Sequence, residues 1–184
     1  ASRGLGDVYK RQTLPMKGLT MKTILAAAAI ATLSAPATFA ADAVVRHPIP
    51  NSTFPISQAI EIPPGATRVL VSGTVPTKVD EAADAKSSAA YGGDTEGQTV
   101  NVLKSIDDKL KALGLGMGDV VKMQVYLVAP AEGQPMDFAG FMKGYTQFFG
   151  TETQKNLPTR SVFEVAGLAN PGYLVEIEVE AVRP

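Results

Sequence analysis

The sequence predicts an α+β domain, a mixed sheet with two helices on one face, and three observations carry that reading. Six short segments have the β-branched or alternating pattern of strands. Two segments place apolar residues at three- and four-residue spacing. The two kinds interleave as strand-strand-strand-helix-strand-helix-strand-strand, an order that a single mixed sheet with helices packed together accommodates.

Val44–Pro48 and Ser57–Ile62 read as short strands separated by a Pro/Asn/Ser turn, and Pro63-Pro64-Gly65 is a second turn. Arg68–Val75 follows as a Val- and Leu-rich strand. Thr77–Gly93 is polar and Ala-rich and reads as an irregular excursion. A helix comes next, with Thr95 and Gln98 spaced as a capping box. Thr99, Leu103, Ile106, Leu110 and Leu113 form its apolar stripe, and Gly114 supplies the stop. Val120–Val128 is a strand with Val121, Met123, Val125 and Leu127 on one face, and Ala129–Pro135 a loop. Asp137 can cap a second helix whose Phe138, Phe141, Tyr145 and Phe148 make an aromatic stripe, closed by Gly150. A stripe at this spacing reads as core packing rather than as a ligand box. Arg160–Ala166 and Tyr173–Val182 finish the chain; in the latter Val175, Ile177, Val179 and Ala181 alternate with Glu176, Glu178 and Glu180, giving one acidic face.

Composition narrows the chemistry. The 184 residues are 45% hydrophobic and 19% charged, as in a globular domain. They contain no Cys and a single His, His47. Disulfides, thiolate metal sites and Cys nucleophiles are excluded, and no His-rich metal site or Ser-His-Asp triad is expected. Carboxylates, Arg, hydroxyls and backbone groups remain. Residues 1–15 show no periodicity and are expected to be a non-native or read-through leader. Residues 16–40 read as a signal peptide, with Lys22, the apolar run ILAAAAIATLSA and Thr38-Phe39-Ala40 as a small-x-small cleavage site. The apolar run is shorter than the ~20 residues of a membrane span. The expectation is therefore a periplasmic or secreted domain over 41–184, with no stable membrane association after cleavage. From Ala41 onward the chain holds 12 basic and 17 acidic residues, with the basic ones scattered, so nucleic-acid binding is not expected.

Several segments together resemble one family: SQAIEI, VLVSGTVP, QTVNVLKSIDDKLKALG, GDVVKMQVYLV, MDFAGFMKGYTQFFG, NLPTRSVFEVAGL and YLVEIEVEAVRP. Taken in order from Ile49 to Pro184, they are similar to the Rid (reactive intermediate deaminase, YjgF-like) proteins. That resemblance implies a chorismate-mutase-like fold in a homotrimeric barrel, with clefts between subunits. It also implies cofactor-independent hydrolysis of 2-imino acids to 2-keto acids and ammonia. By the same resemblance Arg160 matches the Arg that holds the substrate carboxylate, Glu176 the acid near the attacking water, and Ser72 and Gly73 the strand-end pair beside the ligand. Read without the family, Arg160 is an ordinary strand-start residue and Glu176 one member of a solvated face. Ile56 stands where the family pattern has Tyr and Met142 where it has Asn, which makes the substrate-binding pocket more apolar. A binder of small carboxylates without catalysis is the competing expectation. RNA cleavage, attached to some relatives, is disfavoured by the acidic balance.

Overall fold

A computed structural model describes residues 43–183; the expected leader and signal peptide lie outside the described residues. Six strands and two helices follow in the expected order: β1 (Val45–Pro48), β2 (Ser57–Glu61), β3 (Thr67–Thr74), α1 (Thr95–Ala112), β4 (Val120–Leu127), α2 (Phe138–Tyr145), β5 (Thr159–Glu164) and β6 (Val175–Arg183). Four strands make a mixed sheet in the order β3-β6-β4-β5, in which β5 runs parallel to β4 and the other pairs are antiparallel. β1 and β2 form a separate antiparallel ribbon. Among the described residues no helix is long and apolar enough to cross a membrane.

Both helices pack on one face of the sheet. Val102, Leu103, Ile106 and Leu110 of α1 and Phe141 and Tyr145 of α2 meet Met123, Val125 and Leu127 of β4 and Val175, Ile177 and Val179 of β6 in one core. A Leu or Ile fully buried in this way contributes about 1.5–3 kcal/mol of transfer free energy. Leu113, read as the last residue of the α1 stripe, is instead the exposed C-cap, because Gly114 at φ +72° turns the chain away there. In α2 the buried aromatic run is Phe141, Tyr145 and Phe149; Phe148, read as part of the stripe, is only partly buried. The regular helix ends at Tyr145, so 3.6-residue spacing no longer decides which ring faces inward. In β4 a bulge before Lys122 buries Val120 as well as Val121, and Val120 joins the main core.

The start of α1 also departs from the sequence reading. Asp94 is the N-cap, its carboxylate accepting from the Gly97 N–H at 2.8 Å. Gln98, read as part of a capping box, is fully buried and turns its amide to the turn before β6. Its Nε2 donates to Gly172 O at 2.8 Å, and its Oε1 accepts from the Leu174 N–H at 2.8 Å. The excursion 77–93 holds a short 3-10 turn, Ser88–Tyr91, whose Tyr91 is buried with its ring edge-on to Tyr173. Asn170 Nδ2 donates to Ala85 O and to the Tyr91 hydroxyl, tying the excursion to that turn as well.

The ribbon is fastened over the β4–β5 edge. Arg46 donates to the carbonyls of Gly118, Val120 and Leu157, which satisfies a half-buried guanidinium with backbone alone. The Ser57 N–H and hydroxyl donate to Pro158 O and Leu157 O. These bonds hold Phe54, Pro55 and Ile56 beside the start of β5.

Candidate functional site

β5 starts after the buried Pro158, and Thr159 fixes its register by donating its hydroxyl to Val121 O at 3.1 Å. Arg160 pairs with Met123 of β4, whose side chain lies in the core, so the strand alternation sends the Arg160 side chain to the helix-covered face. There the guanidinium carbon sits 4.2 Å from the Tyr145 ring centre, 5.0 Å from Phe141, 5.5 Å from Phe54 and 5.9 Å from Phe138. Guanidinium over aromatic faces is electrostatically favourable, but it leaves the N–H groups unserved. Nη2 donates to the Met142 sulfur at 3.2 Å, a weak acceptor, and Nη1 is buried with no acceptor among the described residues. No carboxylate of the described residues forms an ion pair with Arg160.

Burial pulls the Arg160 guanidinium below its ordinary value, opposed by the Tyr145 phenol. Burial likewise pushes the Tyr145 phenol up, with Arg160 pulling against it, so Tyr145 stays protonated and donates to Pro55 O at 2.8 Å. A cavity of about 490 Å³ is lined by Arg160 with its β5 neighbours Thr159 and Ser161, Lys122 and Met123 of β4, and Ile49, Ile56, Ser57 and Gln58. The sequence reading thus finds Arg160, Ile56 and Met142 gathered in one place. It missed Phe54, Phe141 and Tyr145 as the surround of the guanidinium, since no spacing rule links a residue of β5 to the rings of α2.

Ser72, Gly73 and Glu176 form a second group. The register between β3 and β6 shifts between Val71 and Thr74, which carries Gly73 against Glu176. The Glu176 carboxylate lies directly on Gly73: a Cβ added there would stand 2.0 Å from Oε1. Glu176 pairs with Tyr126 of β4, on the sheet face opposite Met123 and therefore opposite Arg160. Within one chain the two groups lie on opposite faces of the sheet, and no hydrogen bond or ion pair joins Arg160 to Glu176. A larger cavity of about 730 Å³ lies elsewhere, between Val44, Arg46, Pro63 and Arg183. Its Arg46 gives three hydrogen bonds to backbone carbonyls and its Arg183 gives one, to Leu113 O.

The sequence model of the Endoribonuclease L-PSP family matches residues 48–183, which spans both groups and every element from β2 to β6. The chain belongs to the Rid/YjgF family. Among its relatives, a RutC family protein of Pyrococcus horikoshii is 32% identical over 133 residues, covering 72% of this chain and 89% of that protein. The 2-iminobutanoate/2-iminopropanoate deaminase of Salmonella typhimurium is 31% identical over 133 residues, 72% of this chain and 89% of its own length. Among solved structures, Escherichia coli TdcF with bound serine is 29% identical with a TM-score of 0.51, covering 76% of this chain and 94% of TdcF. The α+β fold of this Rid-family chain, a mixed sheet with two helices, matches these neighbours.

Proposed function

We propose that this Rid-family protein is a cofactor-independent hydrolytic deaminase that converts reactive 2-imino acids to 2-keto acids and ammonia. One observation carries the reading: the half-buried Arg160 guanidinium has a buried Nη1 with no acceptor and no carboxylate partner among the described residues. A buried cation without a counter-charge is costly, and a ligand carboxylate supplies both the missing charge and the missing acceptors. A bidentate, charge-assisted pair of this kind is worth about 1.5–3 kcal/mol. The serine bound to TdcF is a small carboxylate, and the Salmonella relative is named for 2-imino acids.

In the proposed reaction the substrate carboxylate docks on Arg160, and Glu176 takes a proton from a water attacking the C=N carbon. Hydroxyl adds to carbon and a proton to nitrogen; the resulting carbinolamine then loses ammonia, leaving the C=O of the keto acid. The sequence is redox-neutral and asks for no electron carrier. Because Arg160 and Glu176 lie on opposite faces of one sheet, the reading places the reacting centre between Arg160 of one copy and Glu176 of another. That arrangement is met by a homotrimer whose open sheet faces close on each other. The signal-peptide pattern of residues 16–40 supports a periplasmic or secreted setting for this chemistry. Ile56 and Met142 favour the second reading, a carboxylate-binding protein without turnover, because neither offers a polar group to a water.

Purified protein supplied with imines generated in situ decides between them through the rate of keto-acid release. Acceleration over the uncatalysed reaction is expected. Arg160→Lys keeps the charge, loses the fork and costs roughly 1–3 kcal/mol, about five- to a hundredfold in turnover or binding, and Arg160→Ala costs more. Carboxylate affinity unchanged in Arg160→Ala removes the reading, and binding without acceleration leaves the non-catalytic binder.

A further inference from the structure

We infer that Met142 is a modification site: its oxidation to the sulfoxide by a peroxide sets a competing acceptor on Arg160 and closes the site to carboxylates. This rests on the proposal that Arg160 anchors the carboxylate. Arg160 Nη2 donates to the Met142 sulfur at 3.2 Å, and the buried Nη1 of the same guanidinium has no acceptor among the described residues. A thioether is a weak acceptor, so the sulfur does little for a cation held against the rings of Phe141 and Tyr145. A sulfoxide is polar, and its oxygen stands one bond out from an atom already in contact with the guanidinium.

The step balances with hydrogen peroxide as oxidant. A sulfur lone pair forms the S–O bond and the peroxide O–O bond breaks. The departing hydroxide takes the proton from the oxygen now on sulfur and leaves as water; sulfur loses two electrons and the peroxide gains them. Of the methionines among the described residues, Met117 and Met123 are buried in the core, whereas Met136 and Met142 are only partly buried. A sulfoxide oxygen pressed against hydrocarbon is costly. Met142 escapes that cost, because among the described residues it is the one methionine whose sulfur already accepts from a side-chain donor. The new oxygen then occupies an N–H that a carboxylate needs for a bidentate pair.

The test treats the purified full chain with hydrogen peroxide, removes the peroxide by desalting because 2-oxo acids consume it, and titrates pyruvate calorimetrically. Peptide masses locate the sulfoxides. Pyruvate affinity is expected to fall at least about tenfold, the worth of one charge-assisted hydrogen bond lost to a competitor, and to return after methionine sulfoxide reductase. Met142→Leu, close in volume and without sulfur, is expected to carry its own starting affinity unchanged through the same treatment. Met142 left as the thioether overturns the inference. So does an equal loss of affinity in Met142→Leu, or unchanged affinity once Met142 is a sulfoxide, and each leaves the anchor standing if Arg160→Ala abolishes binding. Binding that ignores Arg160→Ala, or no binding of pyruvate at all, overturns the anchor and this inference with it.

Discussion

The two faces of the sheet are written on the same strands and could hardly differ more. On β4, Met123, Val125 and Leu127 point into the helical layer while Lys122, Gln124 and Tyr126 point away; on β6, Val175, Ile177 and Val179 oppose Glu176, Glu178 and Glu180. The covered face is apolar and closed. The open face mixes carboxylates with large apolar groups: Leu70 is 78% exposed, Phe163 is 44% exposed, and the Phe163 ring stacks on Tyr126 at 6.0 Å. A face meant only for water has no need of Leu70 and Phe163. One face secures the fold, the other leaves large apolar groups among carboxylates, and Arg160 is the exception, a charge placed on the wrong side for stability.

Leucines on the two faces give the largest contrast. Leu103→Ala, in the closed layer, is expected to lose about 2–5 kcal/mol in urea unfolding. Leu70→Ala is expected to leave the fold of the single chain intact and to lower the mass seen by light scattering at micromolar concentration. Equal losses of unfolding free energy from both would erase the distinction between the faces.

A smaller effect is expected where the open face meets the proposed chemistry. Gly73→Ala puts a methyl where the Glu176 carboxylate now rests, and that carboxylate is the movable partner. Keto-acid release should fall by at least about tenfold as the acid is displaced, with the melting temperature little changed. Retained turnover would show that the acid works from some other position.

The smallest effect concerns pH. Arg68 holds the buried Glu180 carboxylate through two contacts, one of 2.7 Å between Nη2 and Oε2, and this hydrogen bonding keeps Glu180 below its ordinary value. A depressed carboxyl adds stability above its unfolded value, and that contribution fades as pH falls through the ordinary carboxylate range to the folded one. Arg68→Ala should flatten this part of the melting-temperature profile, leaving the profile above neutrality parallel to that of wild type. A profile with unchanged slope in acid would assign the pair no role.

Much of this was legible from the amino acids. The order of elements, both helices on one face and the apolar/acidic alternation of β6 follow from periodicity, because burial on one side imposes it directly. What periodicity could not reach were positions where the chain leaves a regular repeat. Val120 enters the core through a bulge, Phe149 replaces Phe148 after the helix has ended, and Gln98 spends its amide on a turn distant in sequence. The site divides in the same way. Gly73 and Glu176 meet through a register shift, and Arg160 is boxed by rings from another element, so neither arrangement has a local signature. Only the family resemblance pointed to those positions, and it said nothing of the aromatic surround.

β6 lies between β3 and β4 in the sheet although it follows both in sequence, and Leu70 stands opposite Glu180 across most of the domain. The sheet has a gap at its centre until the last strand arrives. Pairings so distant in sequence are expected to close slowly. β6 is thus the strand that joins β3 to the β4–β5 pair.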